Sequence, residues 1–91
     1  MDDLSGKVVI ISRVSTELGK ETAIHYAKLG ATLALLDSNV DEQESLKQEI
    51  EAIGSMAIAL TCDVDSEHDV KNAIHSVEEI LGHVDIVLLL R

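Results

Sequence analysis

Proline, tryptophan and phenylalanine are absent from this sequence, and tyrosine and cysteine occur once each, as Tyr26 and Cys62. Without aromatic side chains a core has to be built from Val, Ile, Leu and Ala, the residues of buried parallel strands and of the helices laid over them. Stacking platforms for single-stranded nucleic acid are excluded on the same ground. A lone cysteine excludes an internal disulfide. Cys62 closes an apolar run and reads as a small buried thiol, a reactive thiol being the alternative. Basic residues are scarce as well: seven Lys and Arg stand against seventeen Asp and Glu, a net charge of −10. A surface of that sign repels nucleic acid. No apolar run approaches the roughly 20 residues of a membrane span. The start, MDDLSGK, shows neither a secretory nor an arginine-rich leader, so the expected location is the cytoplasm.

What is present suits one small globular domain: 91 residues, 46% of them hydrophobic. Glycine supplies the punctuation that proline does not. Gly30, Gly54 and Gly82 each follow a helical pattern and precede an apolar run, the place of a left-handed helix cap. The expected helices run over residues 16–29, 40–53 and 66–81. The first turns Leu18, Thr22, Ala23, Tyr26 and Ala27 to one side. The second does so with Leu46, Ile50 and Ile53, and Asn39 with Glu42 resembles a capping pair. The third opens on Ser66 and Asp69, close to a capping box, and carries Val70, Ala73, Ile74, Val77, Ile80 and Leu81. Between the helices lie KVVIIS (7–12), ATLALLD (31–37), MAIALTCD (56–63) and VDIVLLL (84–90). These are apolar runs, not alternations, so the sheet is covered on both faces. The expected fold is α/β, a three-layer sandwich of order β-α-β-α-β-α-β with a four-stranded parallel sheet in strand order 3-2-1-4.

Ligands of such sheets bind beyond the carboxyl ends of the strands, near the switch in strand order. Four segments therefore matter: Ser12 to Gly19, Asp37 to Asn39, Cys62-Asp63-Val64, and Leu89 to Arg91. Along the whole chain, LSGKVVIIS, KLGATLALLD, ALTCDV and GHVDIV fall in the order and spacing of the short-chain dehydrogenase/reductase family, and the sequence resembles the N-terminal part of its members. The resemblance implies a Rossmann-type fold, residues 1–91 forming a single truncated NAD(P)-binding domain of an oxidoreductase that works by hydride transfer.

The phosphate-binding turn of that family reads Thr-Gly-x-x-x-Gly-x-Gly. The matching residues here are Ser12, Arg13, Val14, Ser15, Thr16, Glu17, Leu18 and Gly19. Two glycines are replaced. The one kept, Gly19, serves close packing of helix on strand, while the missing two serve the tight turn and the approach of backbone to pyrophosphate. Asp37 lies 18 residues after Gly19, where a carboxylate accepts from an adenosine ribose and repels a 2′-phosphate, which favours NAD over NADP. The alternative is a strand-end aspartate that helps start the next helix. Asp63 and Val64, carried over from the family's Asp-Val pair, would line the adenine, with local capping by Asp63 as the alternative. The candidate cofactor contacts implied by the resemblance are therefore Ser12, Arg13, Ser15, Thr16, Leu18, Gly19, Asp37, Asp63, Val64 and Leu89.

The family continues its fourth strand with Asn-Asn-Ala-Gly, and this chain has Leu89, Leu90 and Arg91 instead. The family's catalytic Tyr-x-x-x-Lys is missing, since Tyr26 has Gly30 four residues on, so no catalytic residue is expected. His25, His68, His75 and His83 are scattered without a further ligand at metal spacing and read as surface residues. Ser15 and Thr16 read as helix caps, not nucleophiles. A phospho-acceptor receiver domain, with Asp63 as acceptor, would need an acidic pair after the first strand, where the chain offers Ile11 and Ser12. Two readings remain open. One is an NAD-binding half-domain with weak or lost cofactor affinity; the other is a non-catalytic structural or interaction module on the same scaffold. In strand order 3-2-1-4 the fourth strand is an apolar edge guarded only by Arg91, so a homo-oligomer joined along it is expected.

Overall fold

Strands and helices alternate through the computed structural model, which describes residues 4–90. Met1 to Asp3 of the acidic start and Arg91, the expected guard of the fourth strand, lie outside the described residues. The elements are β1 (Val8–Ser12), α1 (Glu17–Lys28), β2 (Thr32–Asp37), α2 (Val40–Ile53), β3 (Ala57–Thr61), α3 (Glu67–Leu81) and β4 (Ile86–Leu88). All pairings are parallel, in the order β3-β2-β1-β4, with Ile10 opposite Ala34 on one side and Val87 on the other.

The apolar runs follow from the two-sided cover. Side chains of a strand point alternately to opposite faces. Val9, Ile11, Leu33 and Leu35 pack with Ala23 and Ala27 of α1 and with Leu46 and Ile50 of α2. Val8, Ile10, Ala34 and Leu36 pack on the other face with Val70, Ala73 and Val77 of α3. No residue of β1 is free to be polar except the last, Ser12, and it too is buried.

Several expectations need correction. Leu18 is 61% exposed, because the buried stripe of α1 runs through Gly19, Ala23 and Ala27 and Leu18 sits about 100° around the helix from it. On α3 the stripe passes from Val77 to the half-buried Leu81, leaving Ile80 exposed. Ile53 is exposed in the last turn of α2, after which Gly54 reverses the chain in a left-handed cap. Gly30 ends α1 as expected, left-handed at φ 93° one residue after the Leu29 cap, its amide and that of Ala31 donating to the carbonyls of Ala27 and Tyr26 at 3.0 and 3.2 Å. Gly82 has a positive φ of 88° but a ψ of −148°, outside the left-handed helical region. The outer strands are shorter than their apolar runs, because β3 and β4 each have one strand neighbour among the described residues. Gln43 is a buried polar residue of α2 that periodicity does not reveal. Its Nε2 donates to the carbonyls of Leu35 and Leu60 at 3.0 and 2.8 Å, joining helix, β2 and β3.

Candidate functional site

The turn after β1 keeps a tight course without its expected glycines. Arg13 donates its amide to the Leu36 carbonyl at 3.0 Å and takes a φ of 57°. It is the only non-glycine residue with positive φ among those described. That left-handed conformation costs an L-residue roughly 1–2 kcal/mol. Thr16 then caps α1: its Oγ1 accepts from the Gly19 amide at 3.1 Å and donates to the Arg13 carbonyl at 2.7 Å. A Cβ on Gly19 would collide with that same carbonyl, so close approach of helix to turn fixes glycine there. Thr16 and Gly19 thus hold the shape of the loop.

Asp37 closes β2 beside this turn and is only 6% exposed. Its Oδ2 accepts from the amide and the hydroxyl of Ser15, both at 2.9 Å, and its Oδ1 accepts from the Asn39 amide at 3.0 Å. Burial alone would push the carboxyl up, but the hydrogen bonds from Ser15, Asn39 and Ser38 outweigh it and hold the group below the ordinary aspartate range. Two of the sequence-derived candidates, Ser15 and Asp37, therefore bind each other, and the carboxylate stays ionised.

On the β3 and β4 side, Ser12, Arg13, Val64 and Leu89 line one cavity of about 380 Å³. Arg13 Nη2 donates to Asp65 Oδ1 at 2.9 Å, an ion pair that joins the turn after β1 to the turn after β3. Ser12 Oγ donates to the Leu90 carbonyl at 3.0 Å and ties down the segment after β4. Asp63 is exposed and outside the cavity lining. Its Oδ1 accepts from the Asp65 amide at 3.0 Å, an Asx turn of local kind. Leu18 is likewise outside it. Reading the sequence misses Asp65 and Lys71, which share the lining with Leu90 of the segment after β4. The Arg13–Asp65 pair spans 52 residues and leaves no local signal. Cys62 is buried, and burial, with Asp69 and Asp63 adding to it, pushes its thiol up. All four histidines are exposed, and no three His, Cys, Asp or Glu side chains gather among the described residues.

These contacts decide how far a dinucleotide fits. On the adenosine side a buried, ionised carboxylate stands at the end of β2 with its oxygens engaged by Ser15 and Asn39, and Val64 lines a separate cavity of mixed polar and apolar wall whose lining does not include Asp37. The pyrophosphate side does not fit. The Ser15 and Gly19 amides are already taken by Asp37 and Thr16, and Glu17 adds a carboxylate to the first turn of α1. A helix N-terminus that would attract phosphate is thus supplied with its own anions and acceptors.

The family model for short chain dehydrogenase matches residues 7–89. The 7alpha-hydroxysteroid dehydrogenase of Escherichia coli (strain K12) is 35% identical over 85 residues, which are 93% of this chain and 33% of that protein. Among solved structures, NAD+-bound xylitol dehydrogenase superposes with a TM-score of 0.88 at 30% identity, covering 93% of this chain and 33% of its own. L-Sorbose reductase from Gluconobacter frateurii, complexed with NADPH and L-sorbose, gives a TM-score of 0.87 at 30% identity, covering 96% and 34%. The chain spans about a third of the length of these relatives. Among the described residues no helix is long and apolar enough to cross a membrane.

Proposed function

The chain belongs to the short chain dehydrogenase family, and from that premise we propose that it is the dinucleotide-binding part of an oxidoreductase, holding NAD weakly and through its adenosine half. The observation that carries this reading is Asp37: buried, ionised and set at the end of β2 beside the turn that follows β1. A carboxylate there accepts from ribose hydroxyls and repels a 2′-phosphate, which favours NAD over NADP. Val64 would meet the adenine, and Leu89 the far wall, while Asp63 is engaged in its local turn. NAD, when bound, supplies a hydride acceptor. These 91 residues contain no Tyr-x-x-x-Lys, so the chain by itself transfers no hydride. Its acidity and apolar runs accord with a cytoplasmic protein that ignores nucleic acid, and the edge of β4 is where copies of it would join.

Isothermal titration with NAD and adenosine tests the proposal. Adenosine should bind, with NAD no tighter than about millimolar, near −4 kcal/mol. A low-micromolar NAD affinity would show that Glu17 and Arg13 do not obstruct the turn. A second reading, a scaffold that binds no nucleotide, is favoured by one fact: Asp37, Ser15 and Arg13 all have partners within the chain. Absence of any adenosine binding selects it.

A further inference from the structure

Arg13 stands in place of the first glycine of the phosphate-binding turn, and it brings a guanidinium to the crevice beside it. Its ion-pair partner Asp65 is 77% exposed, a setting in which such pairs hold weakly. Its Nε, by contrast, is buried with no hydrogen-bond partner. The guanidinium's outward nitrogen, Nη2, is lent only to a solvent-exposed carboxylate, and a phosphate offers it a stronger, charge-assisted acceptor. Lys71 of α3 reaches the lining of the same cavity, and Val64, Val70 and Ile74 give it an apolar wall. The lining acids Asp65 and Glu67 balance the two cations, so the empty cavity carries no excess of negative charge, and Asp65, being exposed, is left to water when an anion takes Arg13. At about 380 Å³ the cavity lies near the small end of the roughly 300–1,000 Å³ of small-molecule sites, a size for one nucleoside and not two.

We infer that this cavity is a nucleoside monophosphate site, in which the Arg13 guanidinium, assisted by Lys71, holds the phosphate that the N-terminus of α1 does not. The inference deepens the proposed function and rests on its claim that an adenosine moiety is bound at this crevice. It assigns the chain a mononucleotide in preference to a dinucleotide, because the first turn of α1, where a pyrophosphate would look for free amides, carries the Glu17 carboxylate and the Gly19 amide is taken by Thr16.

The test is titration of the 91-residue chain with adenosine, adenosine 5′-monophosphate and NAD, repeated on Arg13→Gly, Asp65→Asn and Lys71→Gln. Glycine is at home at the φ of 57° found at this position, so Arg13→Gly keeps the fold, which circular dichroism checks. The monophosphate should bind about tenfold or more tighter than adenosine, the value of one charged hydrogen bond. Arg13→Gly should erase that preference and leave adenosine binding in place, Lys71→Gln should reduce it, and Asp65→Asn, which releases Arg13, should raise monophosphate affinity. Equal affinity for adenosine and its monophosphate overturns the inference and leaves the proposed function standing, as does a preference that survives Arg13→Gly. No adenosine binding at all overturns both.

Discussion

Asp37 shows how one side chain can be a determinant of fold and of site together. It bridges the ends of β1 and β2 by accepting from Ser15 and Asn39. In Asp37→Asn the amide group would face at least one donor, so we expect a loss of about 2 kcal/mol at neutral pH, within the range for hydrogen bonds to charged groups. The pH dependence has a definite sign. The native carboxyl titrates below the ordinary 3.8, so its contribution is complete above that value and drains away as pH falls through it toward the lowered native value. Urea unfolding at pH 7, 4 and 3 should show the gap between wild type and Asp37→Asn narrowing only in the acid range; a constant gap would mean the carboxylate is not the cause. Gly19 is a second such residue. A Cβ there meets backbone, which cannot step aside as a side chain could, so Gly19→Ala should cost about 3 kcal/mol, the upper part of the overpacking range, read as a lower urea midpoint.

At the scale of elements, what is local in sequence was legible and what is distant was not. The caps belong to the first kind. Asn39 Oδ1 accepts from the Glu42 amide at 3.1 Å and Ser66 Oγ from the Asp69 amide at 3.2 Å, both written within four consecutive residues. Ser66→Ala should therefore destabilise the chain by about 1 kcal/mol, measured by thermal unfolding, and restoring Asp or Thr at that position should recover most of it. Apolar runs were legible as strands, and with glycine spacing they were enough for the sheet order, since parallel crossovers leave few topologies. Their lengths were not legible, because an apolar run continues whether or not a neighbour pairs with it, and VDIVLLL yields only Ile86–Leu88. Within the site, the turn residues and Asp37 were readable from motif spacing. Their partners were not. Ser15 and Asp37 are 22 residues apart, Ser12 and Leu90 are 78 apart, and only the assembled sheet brings them together. Gln43 was missed for a different reason: its polarity hides it from hydrophobic periodicity, although it is buried where two strands need a shared donor.

For the molecule as a whole, the two sheet edges differ in what they present. β3 carries no exposed large hydrophobic between Ala57 and Thr61, whereas the β4 side presents Val87 at 42% and Leu89 at 48% exposure. β4 pairs with β1 alone among the described residues, through Ile86, Val87 and Leu88. Open strand edges with apolar side chains template further pairing. The net charge of −10 opposes it, but charges more than about 8 Å apart are largely screened at physiological ionic strength, so the repulsion opposes association only in part. The isolated 91-residue chain should therefore self-associate with rising concentration in sedimentation velocity runs. The side chains that matter are not the leucines an edge reading would choose first. Leu88 and Leu90 turn inward and pack against the cluster beneath α1 and α2, so lysine there would damage the fold. Val87→Lys with Leu89→Lys puts charge on the outward positions and should give a monomer of unchanged unfolding midpoint. A chain that already sediments as a monomer at high concentration, or a lysine double variant that still associates, would place the contact elsewhere than on β4.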